Sequence, residues 1–296
     1  MIIDIASILD DNKSGSLTLA TNMLMLFKDY LNKNIASEVS PDDLFEEIQK
    51  AAKAVIKHQT NMVLLRKSGY NFVNFFKRIY TDEISRTELI ESLLGKLDSQ
   101  NEELQTNAEN VALNGSKIIA NFNKILTYSN SSVVFKLFQK ATAQKRKFEV
   151  YCLKSDPPGE GLDLAEKLSK MDVKTTIVPD TQAGIVMDEM NIVYVGADRL
   201  YENGFVNKSG TLAVCLLAKQ FNVPVYLVSE TSKILLESER SIKSSERDSK
   251  EVYEKENEIS VINSYYEKIP YNLVQKVICE EGVFETSDFI SWHLGD

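Results

Sequence analysis

The chain is poor in the residues that most often announce chemistry. Tryptophan occurs once, histidine twice and cysteine three times in 296 residues. His58 and His293 lie far apart with no metal-ligand spacing around them, which speaks against a zinc enzyme, although carboxylate-only sites escape this test. Cys152, Cys215 and Cys279 are widely spaced and sit in apolar runs; they read as reduced core residues, neither a disulfide framework nor a metal cluster. No G-x-G-x-x-G follows a strand pattern and no G-x-x-x-x-G-K-[ST] occurs, so neither a dinucleotide fingerprint nor an ordinary NTPase loop is present. Neither histidine stands near a nucleophile elbow, which removes support for a Ser-His-Asp hydrolase. Basic residues are outnumbered, 34 Lys+Arg against 43 Asp+Glu for a net charge of −9, so the basic face of a dedicated DNA or RNA binder is not expected. No run of about 18 apolar residues suggests a membrane span. The opening MIIDIASILDDNK lacks a charged n-region and does not read as a signal peptide. The expectation is a cytoplasmic protein without metal or cofactor.

What is present falls into two patterns. Up to about residue 112 the periodicity is helical. Leu17, Ala20, Leu24, Phe27 and Leu31 recur at spacings of three and four, behind a turn-rich stretch from Asp10 to Ser16. Ser40-Pro41 supplies an N-cap and a first-turn proline for a second helix through Leu44, Ile48, Ala51, Ala52, Val55 and Ile56. Further helices are expected over about 69–80 and 86–112. After Gly115 short apolar runs alternate with helical patterns: 124–128, 148–153, 173–178, 192–195 and 225–228 as strands, and about 131–143, 160–170, 181–189 and 210–221 as helices. Strands that alternate with helices make βαβ units and a parallel sheet, and their nearly continuous apolar character fits a sheet covered on both faces. Residues 237–258 are dense in Ser, Glu, Lys and Arg and read as a solvated loop, with a partner-binding insertion as the sharper alternative. Apolar residues return at Tyr271–Val274 and Phe289–Trp292, so the tail is expected to pack back on the core.

In such sheets ligands bind outside the carboxyl ends of the strands. Four polar segments fall there. Thr127-Tyr128-Ser129-Asn130-Ser131-Ser132 enters a helix, where hydroxyls and free N–H groups suit a phosphate; simple helix capping by Asn130 or Ser131 is the alternative. Asp198, just past a strand, can cap, pair with Arg199 or another base, or transfer a proton. Asn203 to Thr211 reads as a loop in which Asn207 can hydrogen-bond in two directions and Lys208 supplies a charge. Ser229 to Lys233 closes the series, with Lys233 either reaching the crevice or solvated. Together the four point to an anion site for a sugar phosphate or nucleotide.

These same segments resemble a known family. Ile125-Leu126-Thr127-Tyr128-Ser129, Lys154-Ser155-Asp156-Pro157 with Gly161, and Val195-Gly196-Ala197-Asp198 carry the likeness. It continues through Glu202-Asn203-Gly204, Val206-Asn207-Lys208-Ser209-Gly210-Thr211, Pro224-Val225-Tyr226 and Ser232-Lys233, in order over about 120–235. The sequence is similar to the superfamily that joins the alpha, beta and delta subunits of translation initiation factor 2B with ribose-1,5-bisphosphate isomerase and methylthioribose-1-phosphate isomerase. The resemblance implies an α/β protein: an N-terminal helical domain over 1–112 and a Rossmann-like domain with a mostly parallel sheet over 113–296. It also implies a homodimer and a phosphate-binding cleft between the two domains. By the same resemblance Asp198 matches the isomerases' proton donor, Asn207 and Lys208 the pair that holds substrate, and Lys233 a further phosphate ligand. Ser14-Gly15-Ser16 falls at their Arg-Gly-rich phosphate loop but lacks its arginine. Their Thr-His-Cys strand end reads Thr127-Tyr128-Ser129 here, so Ser129 stands at the catalytic cysteine. A thiol can be tuned to a thiolate; a serine hydroxyl is a far weaker acid and has no histidine nearby. The expectation is therefore a noncatalytic protein of the initiation-factor alpha-subunit type, with a translation initiation factor 2 subunit as a candidate partner. A sugar-phosphate aldose–ketose isomerase using Asp198 and Ser129 is the alternative.

Overall fold

The computed structural model describes residues 2–81, 83–235, 246–254 and 259–295. Two compact units meet within one helix, Met1–Thr106 and Asn107–Asp296. The first unit is built from α1 (Ala6–Leu9), α2 (Ser16–Lys33), α3 (Pro41–His58), α4 (Val63–Ile79) and the start of α5 (Arg86–Ser116). Ser40 caps α3 as expected, its Oγ accepting from Asp43 N–H at 3.1 Å, with Pro41 at the first helical position. The expected apolar stripe of α2 is buried at Leu17, Ala20, Leu24, Phe27 and Leu31. Phe27 stacks on Phe72 of α4 at 5.7 Å between centroids, and Phe45 of α3 meets Phe76 of α4 edge-on at 5.2 Å. Helix α4 starts six residues before the periodicity suggested, because Val63, Leu64 and Leu65 bury a full additional turn.

The second unit carries a seven-stranded sheet. Its strands are β1 (Asn123–Tyr128), β2 (Phe148–Leu153), β3 (Lys174–Val178), β4 (Ile192–Val195), β7 (Val225–Val228), β9 (Lys276–Cys279) and β10 (Gly282–Glu285), in the spatial order β10-β9-β7-β4-β1-β2-β3. All neighbours are parallel except β9 and β10, an antiparallel pair from the tail. Helices α6 (Ser132–Ala143), α7 (Gly161–Ser169), α8 (Ala183–Val186), α9 (Thr211–Gln220) and α10 (Thr286–His293) follow their strands. The chain winds from β1 to β2 and β3 in one direction, and from β4 to β7 and β9 in the other. The reversal opens a crevice at the carboxyl ends of β1 and β4, where Tyr128 is in register with Val195.

A second, three-stranded antiparallel sheet orders as β5-β6-β8: β5 (Arg199–Tyr201), β6 (Gly204–Lys208) and β8 (Tyr266–Pro270). This corrects the reading of Asn203 to Thr211 as a loop. Asn207 and Lys208 are strand residues, paired across the ladder with Glu267 and Tyr266. The strand that pairs with these two residues, β8, lies far along the chain, so local sequence carried no sign of their pairing. The tail packs back through Tyr271, Leu273, Val274 and Phe289, all buried, but Trp292 is 74% exposed. Of the charged stretch 237–258, residues 237–245 and 255–258 lie outside the described residues; 246–254 are mostly exposed and hold a short turn of helix at Ser249–Glu251. Among the described residues no helix is long and apolar enough to cross a membrane.

Candidate functional site at the sheet switch point

Strand β1 ends in Ser129, whose backbone is left-handed at φ 70°. Its N–H donates to Ser155 Oγ at 2.7 Å, and its own Oγ donates to Glu160 Oε1 at 2.9 Å. Glu160 reaches the crevice because α7 starts abruptly after the Pro-Pro-Gly turn. A Cβ on Gly161 would stand 1.9 Å from Leu153 O, so only glycine lets the helix start so close to β2. Glu160 is 5% exposed. Its second oxygen, Oε2, is buried without a hydrogen-bond partner and lies 3.7 Å from Lys208 Nζ. Burial pushes the Glu160 carboxyl up to about 7; the Lys208 ammonium and the Ser129 hydrogen bond work against that rise, and Asp180 adds to it.

Lys208 is itself buried, which pulls its ammonium below the ordinary lysine range against the attraction of Glu160 and Glu251. Its amine donates to Pro157 O and lies 3.8 Å over the ring of Tyr265. The Tyr265 hydroxyl donates to Glu251 Oε2 at 2.6 Å, and Arg247 also lies over the ring, at 5.0 Å. Residues 246–254 are thus tied to the edge of the crevice rather than freely solvated.

Across the crevice Lys233 Nζ lies 2.9 Å from Glu230 Oε2, both side chains buried. The reading of Lys233 as a solvated lysine is therefore excluded. Asp198 follows β4; its N–H donates to Val206 O at 2.9 Å, which fixes it beside β6. As a residue it is of intermediate exposure, but its carboxyl is sunk deeply enough that desolvation pushes it up to about 6, against Lys233, Arg199 and Lys208. Just before it, Gly196 is required: a Cβ there would stand 2.7 Å from Ser131 Oγ.

The backbone amides that looked ready for a phosphate already hold the protein's own carboxylates. Gly210 and Leu212 N–H, at the start of α9, donate to Glu267 Oε1 at 2.7 and 2.8 Å. Ser155 and Asp156 N–H donate to the two oxygens of Asp180, each at 2.8 Å. Thr231 N–H donates to Glu280 Oε2 at 3.0 Å. Ser131 caps α6 by accepting from Val134 N–H, and Asn130 is buried with its Oδ1 accepting from Lys167 at 3.3 Å. Asn207 is buried, with Nδ2 donating to Thr211 Oγ1 at 3.0 Å. Ser14, Gly15 and Ser16 belong to the unit Met1–Thr106, at the N-terminus of α2. There Gly15 is the N-cap, Ser14 N–H donates to Asp11 at 2.8 Å, and the Ser16 hydroxyl is buried without a partner.

Of the residues expected from sequence, Ser129 and Lys208 both meet Glu160, and Asp198 feels the charges of Lys233 and Lys208. Asn130 and Ser131 serve the start of α6, and Asn207 braces the turn into α9. Glu160 and Glu230 were not anticipated. A glutamate between two glycines, just after a strand and at a helix start, is a signal for Glu160 that the sequence did carry. The crevice holds two buried lysine–carboxylate pairs and two carboxyls able to keep a proton near neutral pH. It is equipped to bind an anion through side chains and to exchange protons with it.

Residues 12–286 match the family model described as the Initiation factor 2 subunit family. A translation initiation factor eIF-2B subunit 2-like protein of Pyrococcus abyssi is 28% identical over 250 residues, covering 84% of this chain and 85% of that protein. The ribose 1,5-bisphosphate isomerase of Archaeoglobus fulgidus is 26% identical over 253 residues, covering 83% and 79%. The crystal structure of 5-methylthioribose 1-phosphate isomerase from Pyrococcus horikoshii superposes with a TM-score of 0.80 at 18% identity, covering 96% of this chain and 85% of that one.

Proposed function

The chain belongs to the initiation factor 2 subunit family, and from that premise we propose that it is a noncatalytic protein of the initiation factor 2B alpha-subunit type. It binds a sugar phosphate or nucleotide in the switch-point crevice and acts through protein contacts, as a homodimer in the cytoplasm, with a translation initiation factor 2 subunit as the partner to test first. The observation that carries this reading is Ser129. It stands where the isomerase resemblance expects a cysteine, and its hydroxyl is engaged with Glu160 at 2.9 Å. No other thiol supports a substitute: Cys152, Cys215 and Cys279 are buried, and burial pushes them up to about 12, 12 and 11. Lys208 and Lys233, both buried, remain as the cationic side chains for a phosphate.

One observation favours the isomerase alternative. Glu160 is a carboxyl near neutrality in hydrogen-bond contact with Ser129, and Asp198 is raised as well. A carboxyl so tuned can serve as a general acid or base. The two readings separate in one assay, in which the purified protein is incubated with ribose 1,5-bisphosphate and ribulose 1,5-bisphosphate is sought. The noncatalytic reading expects no product, together with calorimetric binding of the sugar phosphate that Lys208→Ala weakens by about tenfold or more, the scale of losing a charge-assisted hydrogen bond. Turnover abolished by Asp198→Asn overturns it. Capture of translation initiation factor 2 subunits on the immobilised chain tests the partner.

A further inference from the structure

The unit Met1–Thr106 carries a groove of its own, with a volume of about 550 Å³, lined by Asp43, Glu46, Glu47 and Lys50 of α3 and by Tyr30 of α2. The three carboxylates stand three and four residues apart, so they share one face of α3, where like charges at that spacing oppose the helix. Two of them are partly engaged: Ser40 Oγ donates to Asp43 Oδ2 at 2.7 Å, and Ile3 N–H donates to Glu47 Oε1 at 2.8 Å. Each keeps a second oxygen, and Glu46 has no partner among the described residues. Lys50, one turn further on, forms no ion pair with them among the described residues, so the groove's negative charge is left unneutralised. Tyr30 is 5% exposed, and its hydroxyl has no hydrogen-bond partner among the described residues. Burial and the charges of Glu47 and Asp43 hold its phenol above the ordinary tyrosine range, so the group stays a neutral hydroxyl in a negative field. A largely buried hydroxyl without a partner is unfavourable unless a ligand completes it.

The carboxylates are not gathered as metal ligands: among the described residues no three His, Cys, Asp or Glu side chains come together to hold an ion. Their charge is spread along a trough whose other walls are Ile2 and Val39, both apolar. The ligand that matches carries separate cationic donors on an apolar stem. We propose that this groove binds an aliphatic polyamine, one ammonium group donating to the Tyr30 hydroxyl oxygen and to the remaining oxygens of Asp43 and Glu47, and a second pairing with Glu46. An ammonium has three donors and no acceptor, which suits a hydroxyl oxygen flanked by two carboxylates. The methylenes between the charges lie against Ile2 and Val39, as the stems of lysine side chains lie on apolar surface. The site belongs to a different unit from the crevice, and the inference does not rest on the ligand proposed there.

Calorimetry on the full chain with spermidine, n-butylamine and magnesium chloride tests this, in about 0.15 M KCl so that diffuse attraction is screened. Spermidine is expected to bind. The monoamine, which brings one ammonium group, is expected to bind at least about tenfold more weakly, the scale of losing a charge-assisted hydrogen bond. Glu46→Gln and Tyr30→Phe remove groups that hold no other described part of the protein, so both variants are expected to fold as the parent does. Glu46→Gln should weaken spermidine by about tenfold and Tyr30→Phe by about fivefold. Absence of spermidine binding overturns the inference. Equal affinity for the two amines also overturns it, as does displacement of spermidine by an equivalent charge of magnesium, the mark of a diffuse counter-ion. An affinity unchanged in either variant overturns the assignment of these residues as the site.

Discussion

Ion pairs on the surface of this protein and ion pairs in its crevice are made of the same residues and obey different physics. Lys124–Glu189, Lys136–Glu109 and Lys276–Glu285 bridge at 2.5–2.8 Å with side chains 23–55% exposed. Lys208–Glu160 and Lys233–Glu230 are 2–6% exposed. Water and salt screen the first group, so each pair contributes between nothing and about 1 kcal/mol. The second group gave up its hydration, and the attraction within each pair only partly offsets that loss. A fold selected for stability alone has little reason to keep two such pairs side by side at a sheet switch point. The proposed anion site would supply one.

The strongest way to break that comparison is to remove one partner of a buried pair. Lys233→Met leaves Glu230 uncompensated and is expected to lower unfolding stability by about 3 kcal/mol, whereas Lys233→Met with Glu230→Leu recovers most of the loss. Urea unfolding of the three proteins measures it, and a single variant no less stable than the double removes the argument. A middle-sized effect comes from pH. Glu160 and Asp198 have folded-state values raised to about 7 and about 6 from the ordinary 4.5 and 3.8 of a solvated carboxyl, so between those limits the folded protein binds more protons than the unfolded chain. Their contribution to stability is fully present below the unfolded values and is lost as pH rises through the folded ones. Glu160→Gln should flatten the fall in stability between about pH 4.5 and 7 relative to the parent. Unfolding midpoints across that range provide the check, and parallel profiles would count against the raised carboxyl. The smallest expected effect is at the surface, where Lys124→Ala should change stability by no more than about 0.5 kcal/mol, less still in added salt. A cost near that of Lys233→Met would erase the distinction between the two kinds of pair.

Much of the fold was legible residue by residue. Each of β1, β2, β4 and β7 is a short apolar run whose character follows from burial on both sheet faces, and the capping of α3 by Ser40 with Pro41 is written in four adjacent residues. The second sheet was not legible. Strand β6 reads locally as a polar loop because Asn207 and Lys208 are strand residues only by virtue of pairing with Glu267 and Tyr266, far along the chain. The same distance hid the carboxylates that occupy the loop amides. Glu267 and Glu280 come from the tail, and nothing near Gly210 or Thr231 announces them. Lys208 and Lys233 were named correctly as candidates, yet their burial, which makes their pairing consequential, is a property of the packed state.

The order of side chains along the chain determined where strands and helices form, that the sheet is largely parallel, and that Ser129 rather than cysteine ends the first strand, because these follow from local periodicity and residue identity. Only the tertiary structure decided that Ser129 meets Glu160, that Asp198 and Lys233 share a crevice, and that internal carboxylates hold the amides beside it. Those contacts join segments about 24 to 57 residues apart, and the shifts in proton affinity they bring arise from removing charged groups from water, which happens only when the whole unit is packed.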